Sequence, residues 1–246
     1  MFQLPVRAKS VDPANLGTAD CSLICHCDDG SDYAVKDAKS GAHVAHSEWF
    51  CKHLGDRVGI ASPECRWVEV NGEVAFGSRW ESAHDPNDWW LKAKDGRIEK
   101  DRVCPTLSRI FAFDLFVNNE DRHLKNYIVR PQSKGWSVLA FDYSKAWVAT
   151  GWPLITAPML MTVKTRWVFK LIDSTIGGVL NKKEFIFVLN QIRDVPKTYI
   201  EQILESQHNT WLIKSSSDAI MQYWQGGDFH TRLDKIEEGL NLGYYV

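Results

Sequence analysis

Apolar and polar residues alternate in several short runs in the first third of the chain, a pattern typical of half-buried β-strands. The Asp-Asp-Gly sequence at 28–30 and the dipeptide Asn71-Gly72 separate consecutive runs, and Asn-Gly in particular favours a two-residue hairpin turn. We therefore predict two hairpins, preceded by a loose lead-in over residues 1–16. The predicted strands cover residues 21–27, 32–37, 66–70 and 73–76.

The spacing of apolar residues changes to a helical period elsewhere in the chain. Residues 46–54 show this period, and it returns after Pro105, where we place the start of a long helix because proline suits a first turn. The last third of the chain reads as helix throughout. The helices predicted there cover residues 182–191, 197–213, 217–224 and 229–240. Strands followed by helices predict an α+β fold.

One stretch, residues 116–129, concentrates the candidate chemistry, because the polar residues between 118 and 126 lie between two apolar runs. The residues from 127 onward predict a hairpin with strands at 127–129 and 138–141, whose turn would contain Pro131. Asp121 and Asn126 precede this hairpin, and Asp142 follows its second strand. Carboxylate and amide oxygens brought together in this way can bind Mg²⁺ beside a nucleotide.

The pattern Asn-x-x-Asp-x-His-x-Lys-Asn at 118–126, followed by Phe-Asp-Tyr-Ser at 141–144, resembles the corresponding segments of HipA-like kinases. More distantly, Asp-Arg-His-x-x-Asn is similar to phosphoinositide kinases. The resemblance implies a two-lobed protein-kinase-like fold that binds ATP and Mg²⁺. Its lobes would be a small, mostly β N-terminal lobe over residues 1–76 and a larger, mostly α C-terminal lobe over residues 81–246, with a hinge at 77–80.

The same resemblance implies roles for individual residues. Asp121 would be the catalytic base, and Asn126 and Asp142 would be magnesium ligands. His123 would support the loop or the phosphate. Lys125 either touches the transferring phosphate or simply faces solvent.

The β-rich part offers candidates for nucleotide binding. Lys36 ends a predicted strand and could reach the phosphates, oriented by Glu48 on the following helix; Glu64 competes with Glu48 for this pairing. The bend before the first hairpin could hold a phosphate on its backbone amides, although it is not the usual phosphate-binding loop with several glycines. We expect the adenine edge at the hinge. The residues assigned to these last two places are Gly17, Thr18, Phe76 and Gly77.

Composition narrows the class of protein. The chain has 246 residues, 44% hydrophobic and 24% charged, with a net charge of −2, as in an ordinary globular protein. The small net charge argues against a dedicated nucleic-acid binder, and no apolar run reaches the length of a membrane helix. No signal-peptide pattern is present, so we expect a cytoplasmic protein whose six cysteines are reduced and pack as small hydrophobes.

Three functions therefore stay open. The first is a kinase that phosphorylates protein serine or threonine, with a regulatory protein as a possible partner. The second is a pseudokinase that binds ATP and acts as a partner-binding module. The third is a kinase for a small-molecule or lipid hydroxyl, although no basic amphipathic helix favours the lipid form.

Overall fold

The computed structural model describes residues 4–13, 23–36, 42–81, 88–133, 135–146, 162–211 and 214–245. The strands within these ranges are β1 (Val6–Pro13), β2 (Leu23–Cys27), β3 (Asp32–Lys36), β4 (Cys65–Val70), β5 (Glu73–Arg79), β6 (Tyr127–Gln132) and β7 (Gly135–Ala140). The helices are α1 (Ala42–Arg57), α2 (Trp89–Lys94), α3 (Lys100–Phe116), α4 (Val163–Ile176), α5 (Lys182–Arg193), α6 (Lys197–Glu205), α7 (Lys214–Gly226) and α8 (Asp228–Asn241). The β-rich first part and the helical second part form a mixed α+β fold, as predicted.

The first five strands form a closed barrel in the order β1-β2-β3-β5-β4. The barrel closes where β1 runs parallel to β4, with Val6 opposite Val68 and Arg7 opposite Glu69. The prediction of a loose lead-in was therefore wrong for residues 6–13. Most side chains of β1 are exposed, so its sequence carries little apolar alternation, and the strand is held by backbone pairing on both sides.

The β4–β5 hairpin has the predicted turn but a longer second strand. Asn71 and Gly72 have φ values of 53° and 83°, as the predicted turn requires. The chain was expected to leave the sheet at Phe76, yet β5 continues to Arg79. Gly77 lies within this strand because the strand packs closely there. A Cβ at this position would lie 2.4 Å from a methyl carbon of Val68, and glycine avoids that clash.

Helix α3 lies at the centre of the helical part and packs against α4, α5, α8 and β7. The ring of Phe111 stacks on Phe169 of α4, with centroids 4.0 Å apart. The same core extends to α1, through Trp49 and Leu54, and to the barrel residue Phe76. The barrel and the helices therefore share a large part of one hydrophobic core.

Helix α3 starts at Lys100, five residues before the predicted start at Pro105. Val103 and Cys104 are buried in the turn before the proline. Burial of these two side chains offsets the loss of the backbone hydrogen bond that proline cannot donate. The position of Pro105 inside the helix is thus decided by tertiary contacts.

The helix predicted at 197–213 was too long, because α6 ends at Glu205. Beyond it, Gln207 Oε1 accepts a hydrogen bond from His46 Nδ1 at 2.6 Å, and Trp211 Nε1 donates to Val74 O at 3.2 Å. These contacts turn the chain back towards α1 and the barrel. No helix in the described ranges is long and apolar enough to cross a bilayer.

The β6–β7 hairpin is also longer than predicted. Pro131 was assigned to the turn, but it lies within β6, opposite Trp136. In a two-stranded sheet each strand has one unpaired edge, where a residue without an N–H group can be accommodated.

Candidate functional site

The candidate site begins at the loop that follows α3. Arg232 of α8 is buried and donates hydrogen bonds to the carbonyl oxygens of Leu115 and Phe116, at 2.7 and 2.8 Å. These oxygens belong to the carboxyl end of α3, where a cation is favourable. Burial nevertheless lowers the pKa of Arg232 to about 10. The chain then turns through Asn118, whose φ is 54°.

A buried ion pair holds this loop against α3. Arg122 Nη2 and Nε donate to the two carboxylate oxygens of Asp114, at 2.7 and 2.8 Å, and both side chains are fully buried. Arg122 Nη1 also donates to the carbonyl oxygens of Asn126, at 3.2 Å, and Phe141. Burial alone would lower the pKa of Arg122, but Asp114 outweighs it and the pKa is raised. We call Arg122 and Asp114 the Arg122 cluster.

A second cluster of charges joins three distant segments of the chain. Lys36 Nζ, at the end of β3, donates to Glu48 Oε1 of α1 and, at 2.6 Å, to Asp142 Oδ1 just after β7. The three side chains are 10%, 4% and 20% exposed. The predicted pairing of Lys36 with Glu48 is present, whereas Glu64 pairs with Arg66. We call Lys36, Glu48 and Asp142 the Lys36 cluster.

The electrostatics of the Lys36 cluster favour an ionised lysine. Burial lowers the pKa of Lys36, but Glu48 and Asp142 outweigh it and the pKa is raised. Burial likewise raises the pKa of Asp142, but Lys36 outweighs it and the pKa falls well below its usual range. For Glu48, burial prevails over Lys36 and the pKa is raised. One ammonium faces two carboxylates, so the cluster has an excess of one negative charge when all three groups are ionised.

Asp142 has a backbone conformation that few residues adopt. Its φ is 66°, in the left-handed region, where aspartate is tolerated better than most residues. Its Oδ2 lies 3.4 Å from Asn126 Nδ2, and Ser144 Oγ donates to its Oδ1 at 2.8 Å. Glu48 Oε1 accepts the backbone N–H of Tyr143 at 2.9 Å, so α1 also contacts this segment.

These oxygen donors fit a magnesium ion held partly by a nucleotide. Asn126 Nδ2 lies 3.4 Å from Asp142 Oδ2, so one side-chain amide and one carboxylate, both groups that can supply an oxygen ligand, are neighbours. Mg²⁺ in nucleotide sites is bound by one or two protein groups together with phosphate oxygens. Across the described ranges, no group of three or more His, Cys, Asp or Glu side chains could hold a metal by itself. The negative excess of the Lys36 cluster also attracts a cation.

Asp121 lies on the loop with its side chain 38% exposed. Its Oδ1 forms an ion pair with Lys164 of α4 and lies 3.4 Å from His123 Nε2. His123 and Lys125 are both exposed. The structure thus brings Asn126 to Asp142 and Asp142 to Lys36, whereas Asp121 contacts a different cation.

The remaining predicted residues lie as follows. Phe76 and Gly77 are opposite Lys36 and Val35 in the pairing of β3 with β5, which puts the backbone of β5 beside Lys36. Gly17 and Thr18 lie outside the described residues. The predicted packing of reduced cysteines as hydrophobes is confirmed for those described, which are buried and not joined in disulfides: Cys25, Cys27, Cys51, Cys65 and Cys104.

Comparisons with known proteins identify the family. A family model described as HipA-like kinase matches residues 14–150, more than half of the chain. The chain belongs to the HipA-like kinase family. Membership indicates a phosphotransferase that uses ATP.

Solved structures show the same fold in two kinases. One is the proinflammatory kinase CtkA of Helicobacter pylori, with a TM-score of 0.56 and 14% identity over 90% of this chain and 94% of that one. The other is HipA of Shewanella oneidensis MR-1, from a toxin–antitoxin complex with HipB and operator DNA. It has a TM-score of 0.51 and 10% identity over 84% of this chain and 60% of that one. The chain thus spans less than two thirds of that HipA. No curated protein gave a match.

Several residues that hold the site of this HipA-like kinase in place were not predicted from the sequence. Arg122 was part of the quoted motif, and Asp114 is an acid in an otherwise apolar stretch of α3, which is a usable signal for a buried pair. Asn119 donates to Asp114 Oδ1 at 3.0 Å. Lys164 and Thr165 contact the loop from more than forty positions away, and no local pattern points to them.

Proposed function

We propose that this HipA-like kinase is a two-lobed, ATP- and Mg²⁺-dependent enzyme that transfers the γ-phosphate to serine or threonine hydroxyls of proteins. The barrel and α1 would form the small lobe and the helical part the large lobe. The proposed boundaries are residues 1–76 and 81–246. The segment 77–80 would be the hinge, although its first three residues still belong to β5 and pair with β3.

The observation that carries the proposal is the Lys36 cluster. A lysine from a strand, a glutamate from the next helix and an aspartate after the distant hairpin meet in one partly open site. In phosphoryl transfer, such a lysine contacts the phosphates as a point charge, and its glutamate partner fixes its position. The third member, Asp142, would leave Lys36 for the metal when nucleotide is bound.

Asn126 and Asp142 are proposed to hold Mg²⁺ through their side-chain oxygens. The bound ion would neutralise charge on the transferring phosphate and orient it. Arg122 holds the backbone at both proposed ligands, because its guanidinium donates to the carbonyl oxygens of Asn126 and of Phe141, the residue before Asp142. The two proposed ligands are thereby kept at a fixed separation.

Asp121 is proposed to align the acceptor hydroxyl and receive its proton. Because Lys164 and His123 approach Oδ1, the other oxygen, Oδ2, can face the hydroxyl. His123 and Lys125 are exposed on the same loop and are proposed to contact phosphate oxygens. The backbone at Phe76 and Gly77 would bind the adenine edge, and Gly17 and Thr18 the phosphates.

A protein acceptor and a regulatory protein partner complete the proposal. The Shewanella HipA structure contains a protein partner, HipB, and operator DNA. For the present chain we propose a protein partner but no direct binding of nucleic acid or membrane, in keeping with its net charge of −2. The cytoplasm is the proposed compartment.

The experiment is incubation of the purified protein with γ-labelled ATP, Mg²⁺ and a cell lysate. Transfer of label to protein should vanish in Asp121→Ala and persist in Asp95→Asn, a control that changes an exposed acid. Binding of ATP by the wild type without any transfer would indicate the pseudokinase instead. Label in small molecules or lipids, but not in protein, would indicate the third alternative.

The metal assignment has its own test. Asp142→Asn should abolish the magnesium dependence of nucleotide binding, measured by titrating a fluorescent ATP analogue with and without Mg²⁺. Unchanged magnesium dependence in this variant would remove Asp142 from the proposed ligand set.

A further inference from the structure

The contact between Asp121 and α4 distinguishes the two oxygens of the carboxylate. Oδ1 is buried and meets Lys164 Nζ, with His123 Nε2 at 3.4 Å. The side chain as a whole is 38% exposed. The oxygen that can face an incoming hydroxyl is therefore Oδ2, and the carboxylate can turn only if it breaks the ion pair at Oδ1.

The place of Lys164 in its helix is unfavourable for the helix itself. Lys164 is the second residue of α4, in a first turn that contains no acidic residue. The positive end of the helix dipole repels a cation there, whereas a carboxylate would be stabilised. Helix stability therefore does not account for a lysine at this position, but the ion pair with Asp121 does.

The backbone of α4 is fixed relative to the loop. Thr165, next to Lys164, is buried; its hydroxyl donates to Asn119 O at 2.5 Å and accepts the N–H of Arg122 at 3.1 Å. These two contacts lie on either side of Asp121 in the sequence. One turn further, Phe169 stacks on Phe111 of α3. The lysine thus projects from a rigid base.

We propose that Lys164 is a positioning residue that holds Oδ1 of Asp121, so that Oδ2 points at the acceptor hydroxyl. This inference rests on the proposed function, in which Asp121 is the base. In the reaction the acceptor O–H bond breaks and its proton goes to Oδ2. The acceptor oxygen forms a bond to the γ-phosphorus, the bond to the β-phosphate oxygen breaks, and ADP leaves. Lys164 keeps its own proton throughout.

The test compares Lys164→Met and Lys164→Arg with the wild type, using γ-labelled ATP, Mg²⁺ and a pool of serine- and threonine-containing peptides. If no peptide is labelled, ADP formation with water as the acceptor is the readout. Lys164→Met should lower kcat by about 10- to 100-fold, since a small displacement of a reacting group has a cost of this size. The KM for ATP should stay within about twofold, because the lysine acts on Asp121 and not on the nucleotide.

Three further comparisons separate this role from a merely structural one. Lys164→Arg keeps the charge and should restore most of kcat, and Lys170→Met, which removes an exposed lysine of the same helix, should leave kcat unchanged. In an Asp121→Asn background, Lys164→Met should have no further effect, because residues that act as a unit are not additive.

The possible contradictions are distinct. An undiminished or higher kcat in Lys164→Met, an equal loss in the Asp121→Asn background, or a loss confined to the KM for ATP would each overturn the role of Lys164 and leave the kinase proposal standing. If the Asp121→Ala variant were as active as the wild type, the assignment of Asp121 as the base would be overturned instead. Absence of ATP consumption by the wild type would overturn the proposed function and this inference with it.

Discussion

The Lys36 cluster and the Arg122 cluster both place a cation beside carboxylates inside the molecule, but they differ in charge balance and in access to water. Arg122 and Asp114 are one cation and one anion, both with 0% of the side chain exposed. Lys36 faces two carboxylates, and the three side chains keep between 4% and 20% exposure. The first cluster is balanced and closed, whereas the second is unbalanced and partly open.

This difference indicates two kinds of work. A buried arginine whose hydrogen bonds go to one carboxylate and to backbone oxygens can position a loop, but it has no group left for a ligand. A lysine shared between two carboxylates can exchange partners when a phosphate or a metal arrives. The Arg122 cluster adjoins the Lys36 cluster, to which we assign chemistry, because Arg122 donates to the backbone at Asn126 and at Phe141, next to Asp142.

Arg122→Met should have the largest effect on stability. It leaves Asp114 as a buried, uncompensated charge, and breaking such a pair typically costs about 3–5 kcal/mol in the free energy of unfolding. Urea denaturation measures the change. The double variant Arg122→Met with Asp114→Leu should recover part of the loss, because no buried charge then remains. A loss below about 1 kcal/mol for the single variant would show that the pair does not organise the loop.

Lys36→Met should mainly affect activity. Phosphate transfer should fall by about 10²- to 10³-fold, the usual result of removing one charged contact to the reacting group. The loss of stability should be smaller than for Arg122→Met for two reasons. The site is accessible to water, and Glu48, whose pKa is already raised, can take up a proton. Labelled-ATP transfer and urea denaturation on the same samples give both numbers. A larger loss of stability than in Arg122→Met would reverse the proposed division of roles.

Acid should lower the free energy of unfolding because of His53, which lies on α1, the helix that also carries Glu48. Burial, with a smaller contribution from Lys52, lowers the pKa of His53 from 6.5 to about 4. The unfolded chain then binds the proton first, so this contribution to stability is complete above pH 6.5 and is lost as the pH falls towards 4. The loss should reach at most about 3 kcal/mol.

Urea midpoints measured between about pH 7 and about pH 4.5 test this dependence. His53→Gln should flatten the curve in that range, leaving the part due to other groups such as His46, whose pKa burial also lowers. An equally steep curve for His53→Gln and the wild type would rule out His53 as the origin.

Arg97→Gln should have the smallest effect and serves as the exposed counterpart of Arg122. Arg97 pairs with Asp95 at 2.9 Å, but the two side chains are 60% and 55% exposed. Exposed pairs contribute little, so the free energy of unfolding should change by less than about 0.5 kcal/mol. A change comparable with that of Arg122→Met would show that burial is not what separates the two arginine–aspartate pairs.

Local sequence signals predicted much of this architecture because they reflect short-range chemistry. The Asn71-Gly72 turn, the pairing of Lys36 with Glu48 and the approach of Asp142 to Asn126 could all be inferred from residue types and spacing. Strand β1 could not, since its side chains are mostly exposed and its pairing with β4 is set by barrel closure.

By itself, the sequence determined the α+β class, the HipA-like motif and the oxygen donors of the candidate metal site, since these depend on residue identity and on periodicity within short segments. Only the tertiary structure decided that Arg122 is sealed against Asp114, that Lys36 is shared by two carboxylates and that Lys164 reaches Asp121. Those contacts join segments up to 106 positions apart. They form because packing of α3, α4 and the barrel brings the side chains together, and no local pattern encodes that packing.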